Sequence, residues 1–218
     1  MTTIAEQAHE VKTAAAQRLP AEVLAVFASD QAALIAAGVP AGAVSAGDAL
    51  TPFALPDATG KTRTLGELTA DGPAVLVFYR GGWCPYCNLA LRTYQRELLP
   101  ELDAYSARLV AISPETPDAS LTTQEKAGLA YTVLSDAGGE LASSLGITFE
   151  PSEEGLAAQR KLGVDIRDTR ADAATALPMP TVLIVDGDHV VRFVDIRPDY
   201  TGRTEVSEIL DALQALPS

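Results

Sequence analysis

Hydrophobic positions follow three rhythms along this chain, and each predicts a different kind of element. From about Ile4 to Ala37 they recur at mostly helical intervals (Val11, Leu19, Val23, Val26, Phe27, Leu34, Ile35) against a background of Ala, Glu, Gln and Lys. Pro20 divides this stretch into two helices, and Gly38-Val39-Pro40-Ala41-Gly42 ends it. Between Gly47 and Leu68 short strand-like pieces, Phe53-Ala54-Leu55 and Lys61 to Leu65, flank Pro56-Asp57-Ala58-Thr59-Gly60, which predicts a hairpin. From Pro73 onward apolar runs alternate with amphipathic segments. Strands are expected at Ala74 to Tyr79, Ala107 to Ser113 and Tyr131 to Leu134, and helices at Cys84 to Leu99, Ser120 to Gly128 and Gly139 to Leu145. Thr181 to Val185 and Val190 to Asp195 are joined by Asp186-Gly187-Asp188-His189, a second hairpin signal, and Thr204 to Leu216 is the closing helix. Strands alternating with helices imply parallel crossovers, while the late hairpin adds antiparallel strands. The expected class is α/β, a mixed sheet with helices on both faces.

No internal repeat is present. The one stretch that reads as an insertion is Phe149 to Ala176, with helical spacing from Pro151 to Leu162 and a loose Ala171 to Ala176 connector. It is expected to be a surface excursion rather than a lid.

Composition narrows the function classes. At 218 residues, 47% hydrophobic and 21% charged, the chain can bury about 70% of its unfolded surface and needs no metal or disulfide scaffold. Sixteen Lys and Arg against 29 Asp and Glu leave a formal charge of −13, which opposes binding to a phosphate backbone or an anionic membrane. Its apolar runs, such as Ala74 to Phe78, fall far short of the roughly 18 residues a spanning helix needs. The opening Met1-Thr2-Thr3-Ile4-Ala5-Glu6 lacks the basic and apolar regions of a secretory signal, so the expected location is cytoplasmic. In a reducing compartment a close cysteine pair is more often reactive or metal-binding than a structural bridge.

That pair is Cys84 and Cys87, in Phe78-Tyr79-Arg80-Gly81-Gly82-Trp83-Cys84-Pro85-Tyr86-Cys87, where a buried strand meets a helix. Residues three apart on a helix have Cβ atoms about 5–6 Å apart and a disulfide needs about 3.5–4.5 Å, so a first-turn pair closes with modest distortion. Unpaired N–H groups and the macrodipole at the helix start favour a thiolate, and Pro85 suits the first turn because its missing N–H would have had no partner. A zinc site needs two more ligands. The only histidines, His9 and His189, lack ligand spacing and read as surface residues, which argues against a metal and against a Cys/His hydrolase. Two inert buried thiols would leave the strand-to-helix placement without a reason.

On these residues the chain resembles the thioredoxin-fold superfamily, and from about Ala46 to Leu216 it resembles the peroxiredoxins of the alkyl hydroperoxide reductase and thiol-specific antioxidant family, in a branch with Gly-Gly-Trp-Cys-Pro-Tyr-Cys. Further matches are Pro52-Phe53-Ala54-Leu55-Pro56-Asp57, Ala111-Ile112-Ser113-Pro114, Pro178-Met179-Pro180-Thr181 and Pro198-Asp199-Tyr200-Thr201. The resemblance implies a thioredoxin-like, peroxiredoxin-type domain at residues 46–218 behind an N-terminal helical extension at residues 1–45. It also implies a peroxide substrate, a thioredoxin-type or low-molecular-weight thiol reductant, no cofactor and a homodimer.

The loop departs from the family pattern. Cys87 takes the place of the peroxide-attacking cysteine, Cys84 that of the usual threonine and Arg80 that of the usual proline, and the family's later arginine is not evident where expected. Pro180, in Met179-Pro180-Thr181, resembles the cis-proline turn that faces the disulfide in thioredoxins, against the general trans preference of X-Pro bonds. Arg80 either stabilises a thiolate or points to solvent. Trp83 is expected to pack over the pair, and Tyr86 to be an exposed docking ring between the cysteines. Tyr200 and Arg203 carry less of the case. Three functions stay open: a peroxidase in which Cys87 attacks and Cys84 resolves; a dithiol oxidoreductase in which Cys84, expected as the more exposed sulfur, attacks protein disulfides; and a redox-sensing interaction module.

Overall fold

The computed structural model describes residues 2–216. Two helices open the chain, α1 (Ile4–Arg18) and α2 (Ala21–Ala37). A capping box starts α1, in which Thr3 accepts from the Glu6 N–H and the Glu6 carboxylate accepts from the Thr3 N–H. Pro20 separates the two helices as expected. The first hairpin pairs β1 (Ala54–Pro56) with β2 (Thr62–Thr64), followed by the short α3 (Leu65–Leu68).

The centre is a five-stranded sheet made of β3 (Ala74–Phe78), β4 (Arg108–Ser113), β5 (Thr132–Ser135), β8 (Thr181–Val185) and β9 (Val191–Ile196) in the order β5-β4-β3-β8-β9. The pairs β3–β4 and β4–β5 are parallel, while β8 runs antiparallel to both β3 and β9. A separate two-stranded ribbon joins β6 (Thr148–Phe149) to β7 (Leu177–Pro178).

Every side chain of β3 is buried because both sheet faces are covered, and alternation along the strand divides them. Val75 and Val77 join a core with Leu91 and Tyr94, with Ile209 and Leu213 of α8 (Val206–Gln214), and with Ile4 of α1. Ala74, Leu76 and Phe78 face the other core, with Leu65 and Leu68 of α3 and Leu141 and Ala142 of α6 (Glu140–Ser144).

The helix after β3 is less regular than its sequence predicts. It is α-helical as α4 (Pro85–Thr93), widens to a π-turn at Tyr94–Leu98 and tightens to a 3-10 turn at Leu99–Tyr105. Pro100 explains the change: it cannot donate to the turn before it and its ring crowds that carbonyl, so the Leu99 N–H reaches back to Tyr94 C=O instead.

The expected surface excursion is also revised. Between β6 and β7 lies α7 (Glu153–Lys161), and Leu156, Ile166 and Leu177 form a small buried cluster with Trp83 and Phe149 packed against it. The segment walls the cysteine turn because its apolar residues have no other surface on which to bury.

Candidate active site

The cysteine turn begins where β3 leaves the sheet. Tyr79 still hydrogen-bonds to β4, its N–H donating to Ile112 C=O at 3.0 Å. Gly81 then takes φ 150°, where an added Cβ would lie 2.3 Å from Trp83 Nε1, and a Cβ on Gly82 would lie 2.0 Å from Thr123 Oγ1. Both positions exclude a side chain, one by conformation and both by space. Three hydrogen bonds hold the turn: Cys84 N–H to Gly81 C=O at 3.1 Å, Asn88 Nδ2 to Gly82 C=O at 2.8 Å, and Gly82 N–H to the Glu115 carboxylate at 2.9 Å.

Cys84 is the N-cap of α4, Pro85 its first residue and Cys87 lies in its first turn. Both thiols are free and both are buried, and Cys84, expected as the more exposed sulfur, is 1% exposed against 0% for Cys87. Burial raises the pKa of each thiol, and their surroundings then drive the two apart. Cys84 stays well above the ordinary thiol range, through burial and because its S–H donates to Cys87. For Cys87, burial is outweighed by that same hydrogen bond, by the guanidiniums of Arg203 and Arg80, and by the Arg80 backbone N–H, which together hold it well below the ordinary range. The two shifts favour a thiolate on Cys87 over one on Cys84.

Arg203 supplies the direct charge contact that the sequence left without an owner. Its Nη2 lies 3.0 Å from Cys87 Sγ and 3.9 Å from Cys84 Sγ, while Nη1 donates to the Tyr200 and Gly202 carbonyls. The segment bearing it is pinned on both sides. Tyr94 Oη donates to Thr204 C=O at 2.7 Å, Tyr200 Oη donates to Phe27 C=O at 3.0 Å, and the Glu205 carboxylate accepts the Ile4 and Ala5 N–H groups at 2.9 and 2.8 Å. The N-terminal helices therefore help to hold the arginine in place.

Arg80 does not point to solvent. It is buried, with its guanidinium carbon 4.3 Å from the Tyr200 ring, 4.9 Å from Trp83 and 5.9 Å from Phe149. Trp83 is partly buried against the core cluster that includes both cysteines. Tyr86 is half-buried rather than exposed. Pro180 is buried just before β8, where its carbonyl accepts from Arg197 N–H at 2.9 Å, and its peptide bond is trans, so the cis turn expected by resemblance does not occur. Among the residues reached only through the structure, Glu115 is buried with its carboxyl pushed up to about 7, by burial first and also by the Cys87 charge, against the Gly82 N–H that lowers it. It follows Ser113-Pro114 directly, the one sequence signal that could have pointed to it.

Comparison with known proteins places this geometry. The model of the AhpC/TSA family matches residues 46–194. The chain belongs to the AhpC/TSA family. Two curated Mycobacterium tuberculosis proteins, from strains CDC 1551 and H37Rv and both provisionally named peroxiredoxins, are 36% identical to it over 101 residues. That match covers 46% of this chain and 65% of theirs. The crystal structure of peroxidoxin BcpB from Mycobacterium tuberculosis is 26% identical, with a TM-score of 0.61 over 80% of this chain and 99% of that one. AhpC of Enterococcus faecalis, at 15% identity and a TM-score of 0.61, covering 78% of this chain and 90% of its own, supports the fold alone. The AhpC/TSA chain thus has the expected thioredoxin-like, peroxiredoxin-type fold. Its α1 and α2 precede the family match, and Arg203 lies beyond its end. Among the described residues no helix is long and apolar enough to cross a membrane.

Proposed function

We propose that this chain is a thiol-dependent peroxidase in which Cys87 attacks and Cys84 resolves. One observation carries the reading: the Arg203 guanidinium at 3.0 Å and the Cys84 S–H both favour a thiolate on Cys87, inside a family whose relatives are named for peroxide chemistry. The Cys87 thiolate displaces an alkoxide from a hydroperoxide, giving Cys87 sulfenic acid, and the alkoxide takes a proton to leave as the alcohol, or as water when the substrate is hydrogen peroxide. Arg203, in contact with the Cys87 sulfur, is the cation nearest to the charge that develops on the leaving oxygen. Cys84 then condenses with the sulfenic acid, releasing water and closing the disulfide, and a thioredoxin-type or low-molecular-weight thiol returns the pair to two thiols. Residues 46–218 carry this chemistry and residues 1–45 brace it. A homodimer is the proposed assembly, and light scattering at twice the chain mass rather than once tests it.

A second reading has its own support: Cys84 borders the cleft beneath the N-terminal helices, as an attacking cysteine of a dithiol oxidoreductase would. Stopped-flow fluorescence of Trp83, the only tryptophan, separates the two. The peroxidase reading expects the fast phase with hydrogen peroxide, and a fast phase only with an oxidised protein disulfide would reverse the assignment.

A further inference from the structure

Between the N-terminal helices and the cysteine turn lies a cleft of about 260 Å³. Val11, Leu24 and Phe27 form its apolar outer wall with Leu162 and Val164 of the segment after α7, and Arg80 and Cys84 lie across from them. In a chain of net charge −13 the cleft is lined by two cations, Lys12 and Arg80, and by no carboxylate. Asp199 stands next to the wall, its Oδ1 accepting from Thr201 and Gln31 and its charge set against Lys12, which leaves Arg80 as the cation without a carboxylate.

Arg80 is the informative member. It is only 7% exposed, it pairs with no carboxylate among the described residues, and its Nε is buried without a hydrogen-bond partner. The rings of Tyr200, Trp83 and Phe149 offset part of the desolvation cost without neutralising the charge. The direct contact with the Cys87 sulfur belongs to the Arg203 side chain, which leaves the Arg80 fork free. A buried guanidinium with open donors matches a planar carboxylate, and the apolar wall opposite it matches a hydrocarbon body.

We propose that this cleft binds a small apolar carboxylate, with the carboxylate on Arg80 and the hydrocarbon body against α1 and α2. A monocarboxylate is favoured over a dianion because Arg80 is the one buried cation, Lys12 being exposed, and a bare small anion leaves the apolar wall unused. The proposal does not depend on which sulfur reacts first.

Isothermal titration of the reduced full-length protein with decanoate, decanol and acetate tests it. Decanoate is expected to bind at least tenfold more tightly than either decanol, which lacks the charge, or acetate, which lacks the tail. Arg80→Met should bring decanoate down to the affinity of decanol. Ala28→Phe, which fills the cleft from α2, should weaken decanoate at least tenfold. Equal affinities for decanoate and decanol, or for decanoate and acetate, would overturn the proposal, as would unchanged binding in Ala28→Phe. Should Arg80→Met fail to fold, the comparison of the three probes on the native protein still decides. No peroxide enters the titration, so failure of the peroxidase reading and failure of this one remain separate results.

Discussion

At the scale of single residues, the character of the cysteine turn is set by which sulfur receives the charge. Arg203 makes the direct ion contact with Cys87, and an opposite charge at this range lowers a pKa by about 1–3 units. Arg203→Met should therefore raise the Cys87 titration by about that much, read from thiolate ultraviolet absorbance against pH, with the peroxide reaction near neutrality slowed to match. An unchanged titration would remove Arg203 from the account. Glu115 gives a second test. Its carboxyl is raised from 4.5 to about 7 in the fold, so the stability tied to its neutral form is complete below about 4.5 and is lost as pH climbs through about 7, about 3 kcal/mol in all. Glu115→Gln keeps an acceptor for Gly82 N–H and cannot ionise. Its melting temperature minus that of the native protein should grow from pH 5 to about pH 7 and level off above it, and a constant difference would mean that Glu115 ionises normally. Neither residue was prominent in the sequence. Arg203 follows a recognised Pro-Asp-Tyr-Thr stretch but sits in no motif that announces a sulfur contact, because the pairing joins positions 116 residues apart. Glu115 follows the Ser113-Pro114 match, but the burial that distinguishes it is known only from the fold.

At the scale of elements, hydrophobic period located the helices and strands because most of them bury one face or both against the same sheet. β3 and β8 read as continuous apolar runs, and they lie at the centre of that sheet with both faces covered. The failures have local causes. Helical periodicity cannot register the π-turn that Pro100 induces, and polar spacing in the Phe149 to Ala176 stretch concealed two residues, Leu156 and Ile166, that bury with Leu177 against Trp83. The helical extension was legible as two helices, but its role was not, since nothing in α1 advertises that Glu205 will cap it. A carboxylate accepting two N–H groups at a helix start contributes about 0.5–2 kcal/mol. Glu205→Ala should lose that much in urea denaturation followed by circular dichroism, and a midpoint equal to the native one would show that the cap adds nothing.

At the scale of the whole molecule, the fold places one strand end, one helix start and one C-terminal segment around two sulfurs, and two N-terminal helices close the assembly from outside. The alternation of strands with helices made the central sheet readable from sequence, and the strand-to-helix placement of Cys84 and Cys87 made the reactive pair readable as well. The proposed division of labour between them was carried in the sequence only by resemblance, which set Cys87 in the attacking place, and its physical support, burial and Arg203, exists only in the folded chain. The most direct test of that division is dimedone trapping of sulfenic acid in the two single variants, resolved by mass spectrometry after hydrogen peroxide. The account predicts that Cys84→Ser is labelled once, on Cys87, and that Cys87→Ser is not labelled. Labelling of Cys84 in Cys87→Ser, with none in Cys84→Ser, would contradict it.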